Sequence, residues 1–166
     1  MKITVNRFRR QHDNVMQQAT AILHLADKLH TETSGSLARE IGARLNKISS
    51  DLRIHFAQED SLLYPRLIES DDPEVAAVAR TFFDEMGSLG PAFEKFSATW
   101  MRIGAIGADP LRFQREANAI FLALSGRVER ENEHLYPLAD RIVLAHPETC
   151  VSQNSGADGG TRTRTA

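Results

Sequence analysis

The stretch His55-Phe56-Ala57-Gln58-Glu59-Asp60-Ser61-Leu62-Leu63-Tyr64-Pro65 decides the fold, because the chain carries a second copy of it. That copy reads Arg127-Val128-Glu129-Arg130-Glu131-Asn132-Glu133-His134-Leu135-Tyr136-Pro137. Glu59 falls opposite Glu131, both copies end in Leu-Tyr-Pro, and His55 falls opposite Arg127. Each copy closes a segment with apolar residues at steps of three and four, the period of one helix face. Leu37, Ile41, Leu45, Ile48 and Leu52 lead into His55, Glu59 and Leu63. Phe113, Ala117, Ile120 and Leu124 lead into Arg127, Glu131 and either His134 or Leu135.

Two further segments have the same period. Phe8, His12, Val15, Ala19, Ile22, Ala26 and Leu29 form one stripe, with His12 inside it. Val75, Val78, Phe82, Met86, Leu89, Phe93, Phe96 and Trp100 form the other. Here Gly90-Pro91 predicts a kink within one helix rather than two separate helices. Asp72-Pro73 and Asp109-Pro110 are helix starts, since aspartate caps free amides and proline suits the first helical position. Turn-forming residues at 31–36 and Gly104 and Gly107 predict loops, and Pro65 disturbs the end of its helix. His12 pairs with Met86 in the repeat, so the first half offers His12, His55 and Glu59, and the second Met86, Arg127 and Glu131. Four amphipathic helices with short loops predict an all-α, antiparallel four-helix bundle over residues 1–146. Residues 147–166 are poor in apolar side chains and predict a disordered, flexible C-terminal tail.

The chain has 166 residues, 42% of them apolar and 25% charged, with a formal net charge of −2. That size suits one domain, and the balance argues against a nucleic-acid binder, which would carry a basic footprint. The cluster Arg7, Arg9, Arg10 reads as a solvated face. Cys150 is the single cysteine, which excludes an intrachain disulfide and points to a reducing compartment. No signal-like segment opens the chain, and no apolar run approaches the about 20 residues that span a bilayer. The expectation is a cytoplasmic protein with no membrane or nucleic-acid partner.

The motif His55-Phe56-x-x-Glu59-Asp60-x-x-Leu63-Tyr64-Pro65 resembles the second-helix motif of hemerythrin-like (HHE) cation-binding domains, His-Phe-x-x-Glu-Glu followed by Leu-Tyr-Pro. His12 matches the histidine of the family's first helix, Glu131 the carboxylate of the fourth, and Leu135-Tyr136-Pro137 its ending. The resemblance runs from about Thr4 to Ala145. It implies a bundle with a non-heme di-iron centre at its core, and a role in oxygen binding, iron handling or redox sensing. The chain departs from the pattern where the third-helix histidine is Met86, the fourth-helix histidine is Arg127, and the carboxylate after Glu131 is Asn132.

The remaining donors are His12, His55, Glu59 and Glu131. Histidine and glutamate four residues apart project from one helix face and can reach one ion. Two imidazoles and a carboxylate suit mononuclear Fe(II), with zinc or manganese as alternatives. Arg127 cannot ligate a cation and would repel one, but its guanidinium can bridge Glu59 and Glu131, a fixed charge in the place of a metal. Met86 reads as core filling, His134 as lying near the bundle end, and His24 and His30 as surface residues. Tyr64 and Tyr136 read as helix-end packing, and Cys150 has no catalytic partner in sequence. The leading expectation is a metal-binding protein with iron in a mononuclear or partial di-iron site, taking dioxygen or serving redox or iron sensing. Two alternatives stay open: a metal-free bundle acting as a protein-interaction or regulatory module, and a small non-heme iron enzyme built on His12, His55 and Glu59.

Overall fold

A computed structural model describes residues 5–29 and 35–145, the side chains of Met86 and of residues 143–145 excepted. The expected tail, His30 and Cys150 lie outside the described residues, as does the side chain of Met86. The long helices are α1 (Val5–Lys28), α2 (Gly35–Gln58), α4 (Pro73–Met86), α5 (Leu89–Trp100) and α7 (Pro110–Arg130). Two π-helical turns, π1 (Glu59–Leu63) and π2 (Glu131–Leu135), continue α2 and α7 into the shorter helices α3 (Tyr64–Ile68) and α8 (Tyr136–Ala145). No strand occurs among the described residues, and no helix there is long and apolar enough to cross a membrane.

Side-chain pairs across the bundle fix its topology. His12 meets His55 while Gln18 meets Asp51. His12 meets Asn132 while Gln114 meets Asp27. Phe56 touches Gly90 while Ser49 meets Ser97, and Phe93 packs on Phe121 while Trp100 bonds Glu116. In each case one number rises as the other falls, so α1–α2, α2–α5, α5–α7 and α7–α1 are antiparallel neighbours. The all-α antiparallel bundle expected from the sequence is the fold observed.

The caps form as their residues dictate. Asp72 accepts from the Glu74 and Val75 amides, and Asp109 from the Arg112 amide, each such cap contributing about 1 kcal/mol. Two details differ from expectation. The third segment is two helices, because the chain leaves α4 at Gly87 and Ser88, ahead of Gly90-Pro91. Pro91 instead lies in the first turn of α5, where a missing N–H leaves no helical bond unmade. The second difference is that the Gly104–Gly107 loop contains a short helix, α6 (Ala105–Ala108). Gly104 starts it at a φ of 81°, a left-handed conformation that glycine adopts without steric cost, and Ile106 reaches the core.

The core is two apolar clusters. One runs from Val15 and Leu52 through Phe93, Phe113 and Leu124. The other gathers Phe8, Leu63, Tyr64, Val75, Phe82, Leu135 and Tyr136. Between them the buried residues turn polar: His12 on α1, His55 in the last turn of α2 and Glu59 opening π1, and Arg127 in the last turn of α7 and Glu131 opening π2. Ionised groups stay buried only when paired or ligating, so this layer is where chemistry has to be sought.

Candidate metal centre

The four donors singled out in the sequence meet at one point. One ligand atom from each of His12, His55, Glu59 and Glu131 lies within 4.8 Å of the others, and all four residues are buried. The spacing of α2 and α7 brings this about, since His55 and Arg127 each stand one turn before a glutamate on the same face. Of the two residues left open, Leu135 is buried and His134 exposed, and His24 is exposed as expected.

The outer nitrogens of the imidazoles determine the inner ones. His12 Nδ1 is 3.0 Å from Asn132 Oδ1, and His55 Nδ1 is 3.1 Å from Gln11 Oε1. Gln11 donates its own amide N–H to Gln58 Oε1, which leaves its oxygen to accept. Amide oxygens accept only, so each Nδ1 carries a hydrogen and each Nε2 turns inward. The two Nε2 atoms are 3.0 Å apart. His12 Nε2 also lies 3.2 Å from the Tyr136 hydroxyl and 3.2 Å from Glu131 Oε2. Two lone pairs cannot face each other at this distance, so one proton sits on one of the pair.

The surroundings place that proton on His12. Burial alone would lower the His12 pKa, but contact with Glu131 and Asn132 and the two carboxylate charges lift it above the ordinary value. Burial and the neighbouring His12 charge push His55 down to about 3. Burial and the charge of Glu131 push Glu59 up to about 8 against the pull of Arg127. Glu131 resists its own burial, because contact with His12 and the charge of Arg127 hold it below the usual carboxylate range.

Arg127 does what its sequence position suggests. Its Nε donates to Glu131 Oε1 at 2.8 Å, one terminal nitrogen donates to Glu59 Oε2 at 2.9 Å, and the guanidinium lies 4.4 Å from the Phe56 ring centroid. Each carboxylate therefore reaches one imidazole, Glu131 that of His12 and Glu59 that of His55, and the guanidinium. The tyrosines do more than pack the helix ends. Tyr64 donates to Glu131 Oε1 at 3.1 Å, and Tyr136 to Glu59 Oε1 at 2.7 Å. Each phenol thus braces the glutamate of the other half, and burial raises both phenol pKa values. Sequence reasoning missed these roles and that of Gln11, although the shared Leu-Tyr-Pro ending carried a signal for the tyrosines.

The donor set could hold a metal ion. Metal–nitrogen and metal–oxygen bonds of about 2.0–2.2 Å at right or tetrahedral angles place neighbouring donors about 2.8–3.6 Å apart. The Nε2 pair is at 3.0 Å, His12 Nε2 and Glu131 Oε2 at 3.2 Å, and His55 Nε2 and Glu59 Oε2 at 3.4 Å. Glu131 Oε2 is buried with no hydrogen-bond partner, its approach to His12 being out of hydrogen-bond alignment. An orphaned carboxylate oxygen is costly, and a cation at this point would satisfy it.

A search of curated proteins and one of solved structures found no match. A family model, the hemerythrin HHE cation binding domain, matches residues 4–139, a span that contains every residue of the polar layer. With that match over most of its length, the chain belongs to the hemerythrin HHE cation-binding family.

Proposed function

We propose that this chain is a non-heme metal-binding protein that holds one iron ion through His12, His55, Glu59 and Glu131, in a site incomplete relative to a di-iron centre. We assign it a role in oxygen, redox or iron sensing in the cytoplasm. The observation that carries the reading is the convergence of two inward Nε2 atoms and an orphaned Glu131 oxygen at metal-ligand spacing. Histidine and carboxylate donors suit Fe(II). Arg127 holds the place of a second cation and ties the carboxylates that would otherwise bridge to it. Iron would polarise or reduce a small ligand at any open position. The chain's own part is to hold both Nδ1 atoms as donors to Asn132 and Gln11, so that each Nε2 would face an ion once the His12 proton has left.

Elemental analysis after anaerobic Fe(II) loading tests this. The expected result is about one iron per chain, lost in His55→Ala. A second reading has its own support. The guanidinium and the His12 proton already balance the two glutamates, so the bundle is also consistent with a metal-free interaction or regulatory module. Absence of any uptake, with the protein folded, favours that module and rejects the first reading.

A further inference from the structure

We infer that a small cavity against Arg127 is the port through which a neutral, diatomic-sized ligand reaches the buried centre, and that Phe56 and Gly90 set its width. The cavity has a volume of about 60 Å³ and is lined by Phe56, Tyr64, Phe83, Gly90 and Arg127, with Asp60 at its side. One water needs about 10–15 Å³ of such space, so the cavity has room for a small molecule of a few atoms. It ends on groups that belong to the centre, since Tyr64 and Arg127 both bond Glu131. Outward it shares Phe56, Asp60, Gly90 and Pro91 with a groove of about 580 Å³ between α2 and α5. Groove and port therefore share a wall, and only the Tyr64 and Arg127 side chains separate the port from the Glu131 carboxylate.

Gly90 makes the opening. A Cβ there would lie 3.6 Å from Phe56 Cδ2, so any longer side chain has to occupy the port or displace the ring. The Phe56 ring is held in turn by the guanidinium 4.4 Å from its centroid. The lining selects by charge. Arg127 at the inner end repels cations, and its charge is committed to Glu59 and Glu131, which offers little to an anion that must also pass Asp60. An aromatic wall between these groups favours neutral, weakly hydrated molecules.

This rests on the proposed iron site only for its second measurement. The first uses metal-free protein and xenon, an apolar atom of diatomic size, read by NMR of the aromatic side chains. Xenon is expected to shift Phe56, Phe83 and Tyr64 resonances in the wild type and not in Gly90→Leu. The second follows nitric oxide association with Fe(II)-loaded protein by stopped flow. Gly90→Leu is expected to slow it roughly tenfold, and Phe56→Ala to speed it, with iron content unchanged. Phe83→Trp, at the half-exposed rim, serves as the narrowing variant if Gly90→Leu does not fold. Xenon shifts absent from these rings, or shifts and association rates unaffected by the narrowing variants, overturn the port. Failure to load iron sinks the metal reading alone and leaves xenon to decide the port.

Discussion

Replacing Arg127 with methionine isolates what its charge does. The unbranched apolar side chain retains much of the volume against Phe56, while both ion pairs, 2.8 Å to Glu131 and 2.9 Å to Glu59, disappear. Both carboxylates are fully buried, so they cannot recover their hydration. Breaking a buried pair of this kind costs about 3–5 kcal/mol. At about 2–4 °C per kcal/mol for a domain of this size, Tm should fall by roughly 6–20 °C. The loss should depend on pH in a definite direction. Without the guanidinium the Glu59 carboxyl, already pushed up to about 8, titrates higher still. A group whose folded pKa is raised stabilises the fold at low pH and loses that contribution as pH rises through the folded value. The Glu59 part of the Arg127→Met deficit should therefore grow as pH rises above about 8 and stay constant below about pH 7, where the carboxyl is protonated with or without the guanidinium. Urea unfolding followed by far-UV circular dichroism across that range measures it. Fe(II) at about 100 times its Kd should restore about 2.7 kcal/mol if the centre holds the ion. A loss below about 1 kcal/mol at about pH 9, or a loss that does not grow above about pH 8, would refute the idea that the guanidinium balances the two glutamates.

Three further outcomes follow from the same geometry. Tyr136→Phe removes a 2.7 Å bond to Glu59 and a 3.2 Å contact to His12. It should cost about 1.5–3 kcal/mol by denaturant titration, the range for a hydrogen bond to a charged group. His55, held down to about 3 in the fold against an ordinary 6.5, should make stability fall as pH drops through that window. Below 4.5 the opposing contribution of Glu59 is complete, so the remaining slope should flatten in His55→Gln. Restoring the two departures from the family pattern, with Met86→His and Arg127→His together, should raise iron uptake above that of the wild type by elemental analysis; no rise would mean that those positions do not limit the site.

The helices were legible because their apolar residues recur at the helical period and their starts carry Asp-Pro. The polar layer was legible for a different reason: the repeat sets His55 and Glu59 against Arg127 and Glu131, and a buried guanidinium facing carboxylates has one sensible geometry. The roles of Tyr64 and Tyr136 were not. Their direction depends on two π turns, and no periodicity of side chains encodes a bond from Tyr64 N–H to Glu59 O. Gln11 and Asn132 escaped because polar residues on a helix flank read as solvated until the neighbouring imidazole is in place. The break after α4 was misplaced because proline draws attention to itself, whereas Gly87-Ser88 ends a helix with no comparable mark.

The paired π turns have a bearing on how the two halves can vary. Each turn adds one residue to the winding between a glutamate and the tyrosine five positions on, and one residue amounts to about 100° of rotation about the helix axis. The wider π turn takes up that extra residue, so Tyr64 stands one turn beyond Glu59, and deleting a single residue from 60 to 63 would leave an ordinary helix with Tyr64 and Leu67 near their present places. The register past each glutamate therefore tolerates the loss of the extra residue, whereas a second deletion, with nothing left to absorb it, would turn the tyrosine away from the opposite glutamate.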